Sequence, residues 1–411
     1  MISVNTATRL RRRPFDSVAL LCGAEIGSLP TIDKMVKLFR LPYLVYGEVF
    51  SLMDPTQFIA LSLTSKKANN LCSVHRNCAK LNNEINEFKV SLSSHSSVTL
   101  QFGMGPVIFK ISDKPEDYNS INKIIVNNLA VLSWNPVINN IPRDELGLDI
   151  HPDEHTVQMY HMKDLLSAME KWISYLEDLF HVPLSELRIC FDNFEKGDID
   201  RIMDYYCSDS VEHKLKEFCL DSESRIEDNA LPVSILKRQN ASLSLSLAFE
   251  SSDSFNLDFD LLKNSPDHFG VDNSGWIRWE QVLDMKFLGV ILLNSKFSSS
   301  QIESLVQKWQ SGWTPGWKNL TIELCEEFDV FRCVPDGSMD IEFSDYPNVA
   351  SLLRHESIRA FKFRHIDETT LETDGFHLVR SDKMVATVYK EYTGYCFIQI
   401  HPADPEYKFH L

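Results

Sequence analysis

The stretch HPDEHTVQMYHM places His151, His155 and His161 near one another, and imidazoles are transition-metal ligands. A hydrolytic zinc site would need the order H-E-x-x-H, with two imidazoles one helical turn apart and a carboxylate base between them. That order is missing and the stretch opens beside Pro152 in a loop, so packed or solvated histidines are expected. DHFGVDNSG, at 267–275, holds acids of the calcium-loop kind without their spacing or a closing glutamate, and reads as a turn. No glycine-rich loop ends in Gly-Lys-Ser/Thr to cradle phosphate, and Gly103-Met104-Gly105 sits in a hairpin turn. No serine lies in G-x-S-x-G, and no cysteine stands recognisably beside a histidine and an acid. Trp309, Trp313 and Trp317 recur every fourth residue around turn residues Gly312, Pro315 and Gly316. They either pack a core and its loop or present an aromatic patch to a protein substrate. These residues lead to binding as the expected activity, with no catalytic residues, no cofactor and no metal.

The totals agree with a binding protein. A chain of 411 residues is long enough for two or three compact units, and 44% hydrophobic with 24% charged residues is a globular composition. The net charge of −17 opposes a protein that grips phosphate backbones or anionic lipid, so neither nucleic acid nor a membrane is the expected partner. Nine cysteines lie scattered at 22, 72, 78, 190, 207, 219, 325, 333 and 396, without a C-x-x-C pair. Reduced thiols in cytosol or nucleus are the natural reading. No apolar run reaches the roughly 18–20 residues of a membrane span. The opening residues put Arg9 and Arg11 to Arg13 before a short apolar patch, Val18 to Cys22, which is shorter than a signal-peptide core. Residues 1–36 are expected to form a disordered leader.

Positioning such a binding surface falls to elements whose periods change along the chain. In LPYLVYGEVFSLMDPTQFIALSLTSKKANNLC, apolar residues at 41, 44, 45, 49 and 52 keep helical spacing. Asp54 is placed to cap a second helix with Pro55 at its first position, and Phe58, Ile59, Leu61 and Leu63 follow. Thr64 or Ser65 can cap a third. FKVSLSS, SVTLQFG and PVIFKIS then alternate with period two, predicting a small antiparallel meander over roughly 88–112. Asn-Pro and Ile-Pro breakers make 133–153 a boundary. Beyond it a broad-faced helix, MKDLLSAMEKWISYLEDLFHV, leads into strand LRICF, and strand–helix steps recur about every thirty residues up to NLTIEL. That spacing predicts an irregular leucine-rich-repeat-like βα stack. Four alternating runs from SIRAFKFRHI to YCFIQIHP predict a closing β-meander. The expected class is α+β / α/β, divided as leader 1–36, helical unit 37–80, meander and linker 81–135, repeat-like domain 136–333 and β-rich cap 334–411.

The helical stretch resembles an F-box without a gap. Leu41-Pro42, Leu44, Val45, Glu48, Val49, Leu52, Asp54-Pro55, Phe58, Leu61, Ser65-Lys66 and Leu71 stand at the family's positions. Leu44 occupies a place that is acidic in many members, and Ala68 replaces a common aromatic. Downstream, Leu293-Asn294-Ser295-Lys296, Lys308-Trp309, Gly312 and Leu320 to Ile322 look like the F-box-associated domain of the nematode-type F-box family, and VRSDKMVATVY is similar to its ending. The resemblance implies a substrate-recognition subunit of a Skp–cullin–F-box ubiquitin ligase. The F-box would bind a Skp-type adaptor, and through it a cullin, by Leu41, Pro42, Val45, Val49, Leu52, Asp54, Pro55, Phe58, Leu61, Ser65 and Lys66. The C-terminal region would hold a protein substrate, with Trp309, Trp313 and Trp317 as contact candidates. Such short helices cannot bury all their apolar surface alone, and Leu41, Pro42, Val45, Val49, Phe58 and Leu61 are expected to stay open. A scaffold that never delivers a substrate, and a module sensing nucleic acid or a pathogen, remain as alternatives.

Overall fold

The protein is described here by a computed structural model covering residues 42–76, 85–103, 105–112, 124–126, 129–131, 133–138, 155–160, 164–208, 214–252, 254–341, 360–366, 372–390 and 394–402. Leu41, the expected leader and His151 and His161 lie outside the described residues, as does the side chain of His155. Two compact units follow one another, Met1–Glu186 and Leu187–Leu411.

Among the described residues the first unit starts with three short helices, α1 (Tyr43–Phe50), α2 (Pro55–Leu63) and α3 (Lys66–His75). Strands β1 (Glu87–Leu92), β2 (Ser96–Phe102) and β3 (Gly105–Ser112) form an antiparallel meander. Its alternation turns Phe88, Val90, Leu92, Val98, Leu100 and Phe102 to one buried side. A short ribbon, β4 (Ile124–Val126) with β5 (Leu129–Val131), forms a separate two-stranded sheet. The meander continues through β7 (His155–Tyr160), parallel to β3, and then β6 (Ser133–Ile138), antiparallel to β7.

Helix α4 (Leu165–Phe180) belongs to this first unit, although its place after the breakers had assigned it to the repeat-like domain. Asp164 caps it, accepting a hydrogen bond from the amide of Ser167 at 2.9 Å, and His181 ends it in the left-handed conformation. Its apolar face lies against both the meander and α2. Trp172 meets Phe109 edge-on at 5.0 Å, and Phe180 meets Phe102 at 5.9 Å and Phe58 at 6.1 Å. Secondary-structure pattern alone could not show which neighbour this face would choose.

In the second unit, strand and helix alternate: β8 (Glu186–Cys190), α5 (Lys196–Tyr206), β9 (Glu217–Asp221), α6 (Ala230–Arg238) and β10 (Ser244–Ala248). A 3₁₀ turn at Phe259–Leu261 precedes β11 (His268–Val271), α7 (Trp279–Asp284), β12 (Gly289–Leu292), α8 (Ser299–Gln310) and β13 (Asn319–Glu323). From β9 to β13 each strand pairs in parallel with the next. Their registers line up Phe218, Leu245, Phe269, Val290 and Leu320 in one row and Leu220, Leu247, Val271, Leu292 and Ile322 in another. Both rows are buried, and the apolar sides of the connecting helices supply the matching cover. The remaining strands among the described residues are β14 (Met339–Asp340), β15 (Ala360–Ile366), β16 (Glu372–Val379), β17 (Met384–Lys390) and β18 (Tyr395–Pro402). The last four are antiparallel neighbours, and β18 pairs antiparallel with β13, giving the edge of the parallel ladder a partner.

Residues 222–275, rich in serine and aspartate, hold α6, β10 and β11. Ser244-Leu-Ser-Leu-Ala does alternate, but its serines hide the strand among neighbouring serine-rich loops. The loop 267–275 is a strand and the turn after it.

Candidate functional site

Two apolar stripes run along α1. Tyr46 and Phe50, one turn apart, point inward: Phe50 meets Phe58 edge-on at 5.6 Å, and both Tyr46 and Phe50 lie 5.6 Å from the ring of His75. Pro42, Val45, Val49 and Leu52 follow the three-and-four spacing of a second stripe that faces away. Val45 is 37% exposed and Leu52, just past the helix end, 83%. Val49 is half-buried, and Pro42 and Glu48 are exposed. The inward pair was not recognised in the sequence; an aromatic residue repeated after one helical turn was the available signal.

Local chemistry fixes the angle between α1 and α2. Asp54 accepts a hydrogen bond from the amide of Gln57 at 2.9 Å while the Gln57 side chain accepts from the amide of Asp54. The hydroxyl of Thr56 also donates to Asp54. Pro55 occupies the first helical position, where no N–H is required. Ser65 caps α3 in the same way, accepting from the amide of Ala68 at 3.1 Å.

Helix α2 is buried along its whole length. The expectation that Phe58 and Leu61 stay open is therefore overturned: α3 packs on α2, Phe50 of α1 and Phe180 of α4 meet Phe58, and Tyr175 of α4 meets Ser62. Pro55 is buried with them, while Asp54 is half-buried and engaged in its capping box. The hydroxyls of Ser62 and Tyr175 share a hydrogen bond across α2 and α4, and burial raises the phenol's pKa. Burial likewise pushes the Cys72 thiol up to about 12, with its Sγ 3.9 Å from the carbonyl of Phe58. Such a thiol is a packing group and a poor nucleophile. On α3, Lys66, Asn70 and Val74 share an exposed stripe, Val74 at 64%; Val74 had not been singled out.

The three tryptophans do not form one exposed patch. Trp309 and Trp317 are buried, and the Trp317 indole donates to the carbonyl of Val282 at 3.1 Å. As substrate contacts both are corrected by this burial: they hold α8 and the loop after it onto the unit's core. Trp313 is half-buried, with the Lys308 ammonium 4.6 Å above its ring. Among the described residues there is no group of three histidine, cysteine or acidic side chains placed to hold a metal, and no helix is long and apolar enough to cross a membrane.

Comparison with known families finds a match to the family model described as "F-box domain" over residues 38–80. No curated protein and no solved structure matches the chain.

Proposed function

We propose that this chain, which carries an F-box domain at residues 38–80, is a substrate-recognition subunit of a Skp–cullin–F-box ubiquitin ligase. The observation that carries the reading is the outward stripe of α1, inside the matched domain. Val45 and Leu52 leave apolar surface open on a face that the other described residues of the first unit do not cover. Fully burying a side chain of this kind stabilises a complex by about 1.5–3 kcal/mol, so a few anchors suffice for a stable adaptor contact. Pro42, Val45, Val49 and Leu52 form the centre of that contact. The resemblance adds Leu41, Ser65 and Lys66 to that contact, and Glu48 is exposed on α1 beside the stripe. Asp54, Pro55, Phe58 and Leu61 act through the shape of the α1–α2 corner. The chain contributes no covalent chemistry; ubiquitin transfer belongs to the other subunits, and the second unit holds the substrate.

The resemblance of the second unit to an F-box-associated domain is supported by contacts between its separate motif segments. Ser295 donates to the carbonyl of Glu323 on β13, and the amide of Asn294 donates to the Glu323 carboxylate at 2.7 Å. Arg380, from the C-terminal motif, donates to the carbonyls of Trp309 and Trp313. Segments distant in sequence thus meet as one arrangement.

Co-expression with a Skp-type adaptor tests the reading. Wild-type chain should co-purify with adaptor at equal stoichiometry, and the double variant Leu41→Ala, Pro42→Ala should lose it while keeping its thermal transition. Undiminished co-purification of that variant would refute the assigned anchor.

A further inference from the structure

The parallel ladder has a second face, opposite the buried rows. There Cys219, Ser246, Gly270, Ile291, Thr321 and Phe397 are lateral neighbours on successive strands from β9 to β18. None of them is buried, and Ile291 is 49% exposed. The floor of this face is low at Cys219, Ser246 and Gly270, where a Cβ added to the glycine would meet only the Ser246 hydroxyl, at 3.5 Å. It rises at Ile291 and ends at an aromatic wall, where Phe397 stacks on Tyr389 with centroids 4.8 Å apart. Side chains of such unequal height leave an apolar step beside a shallow polar floor.

The charge around this step has one dominant sign. Asp221, Asp272 and Glu323 stand at or just past the C-terminal ends of β9, β11 and β13, and Asp192, Glu223 and Glu326 follow in the loops on the same rim. Arg188, 2.6 Å from Asp221, and Lys296 are the cations interspersed with them. Arg225, beyond β9, is already matched by Glu227 and Glu250. Several of the carboxylates are held by neutral donors: Asp192 accepts from the amides of Glu223 and Ser224, Glu323 from the amide of Asn294, and Glu326 from the amide of Ser299. Neutral donors orient a carboxylate without cancelling its charge, so the rim keeps a negative field within a chain of net charge −17.

Resting on the receptor reading, we propose that this face takes an extended segment of a substrate protein in which arginine or lysine residues flank one apolar side chain. The apolar residue packs on the step between Ile291 and Phe397, and its basic neighbours lie against the Asp272–Glu323 rim. A strand-width row of half-buried positions with one exposed isoleucine suits an extended chain, and the acidic rim selects against acidic segments.

Fluorescence anisotropy with the full chain bound to adaptor provides the test. The probes are a labelled peptide with a central leucine flanked by arginines, the same peptide with glutamates for arginines, and the arginine peptide with serine for leucine. The first should bind about tenfold or more tighter than either other, and weaken as salt is raised. Ile291→Thr, which keeps a β-branched residue on the strand, and Asp272→Asn should each weaken it about fivefold or more with unchanged melting behaviour. Equal binding of the three peptides, no binding, or variants that bind like wild type would overturn the proposal. A chain that binds the arginine peptide without ever holding adaptor would support this face and remove the receptor reading. An adaptor-bound chain indifferent to the peptide would do the reverse.

Discussion

The guanidinium of Arg380 lies 4.8 Å from the centre of the Trp309 indole, while the same group donates to the carbonyls of Trp309 at 3.0 Å and Trp313 at 2.9 Å. It also reaches the hydroxyl of Thr314 and the carboxylate of Asp382, and little of it remains exposed. One side chain from the β16–β17 turn thereby ties down the end of α8, where the last carbonyls lack helical partners. The planar fork with several donors explains why arginine serves here: an ammonium would reach one or two of these acceptors.

Arg380→Lys should therefore destabilise the chain by about 2 kcal/mol despite keeping the charge, and Arg380→Ala by more. Chemical denaturation followed by tryptophan fluorescence measures both. Equal stability of the lysine variant and the wild type would show that charge alone matters at this position.

Leu52 and Phe58 separate docking from folding. Leu52→Asp alters a nearly bare side chain and should shift stability by no more than about 0.5 kcal/mol while abolishing adaptor co-purification. Phe58→Ala empties a site between α1, α3 and α4 and should cost about 3–5 kcal/mol. Thermal unfolding and adaptor pull-down, run on both variants, read the contrast directly.

The cap of α2 offers a smaller, local measurement. Asp54→Ala removes the acceptor of the Gln57 amide and should cost about 1 kcal/mol, whereas Asp54→Asn or Asp54→Ser should restore most of it. Restoration by serine would point to capping; failure of both replacements would point to the charge itself.

Acid stability should depend on His377, which is buried between Phe363, stacked at 4.7 Å, and Thr387, hydrogen-bonded at 2.9 Å. Burial, with His401 as a nearby like charge, lowers its pKa from 6.5 to about 3. The unfolded chain thus binds a proton that the folded chain refuses between those two values, and stability falls as pH drops through that window. His377→Gln should flatten the decline between pH 6 and 4 in denaturation midpoints. A slope identical to wild type would assign the acid sensitivity elsewhere.

Much of the first unit was legible because its signals are local. Asp54-Pro55 and Ser65 cap where their side-chain oxygens can reach amides three residues on, and the meander strands alternate by the geometry of a pleat. In the second unit, β10 and β11 escaped notice because Ser244-Leu-Ser-Leu-Ala and His268-Phe-Gly-Val are short and carry small or polar outward residues. Trp309 and Trp317 illustrate another limit: their size announced importance, but burial made them packing groups rather than contacts.

By itself the sequence determined where the three short helices and the meander strands of the first unit lie, and that an F-box pattern occupies the stretch from Leu41 to Leu71. Only the tertiary structure decided which apolar face meets water. Val45 and Tyr46 are chain neighbours of similar hydrophobic character, yet one is open and the other sealed against His75. The reason is that burial depends on what lies opposite a side chain. For Phe58 and Leu61 that neighbour includes α4, far along the chain, whose choice of partner no local spacing records.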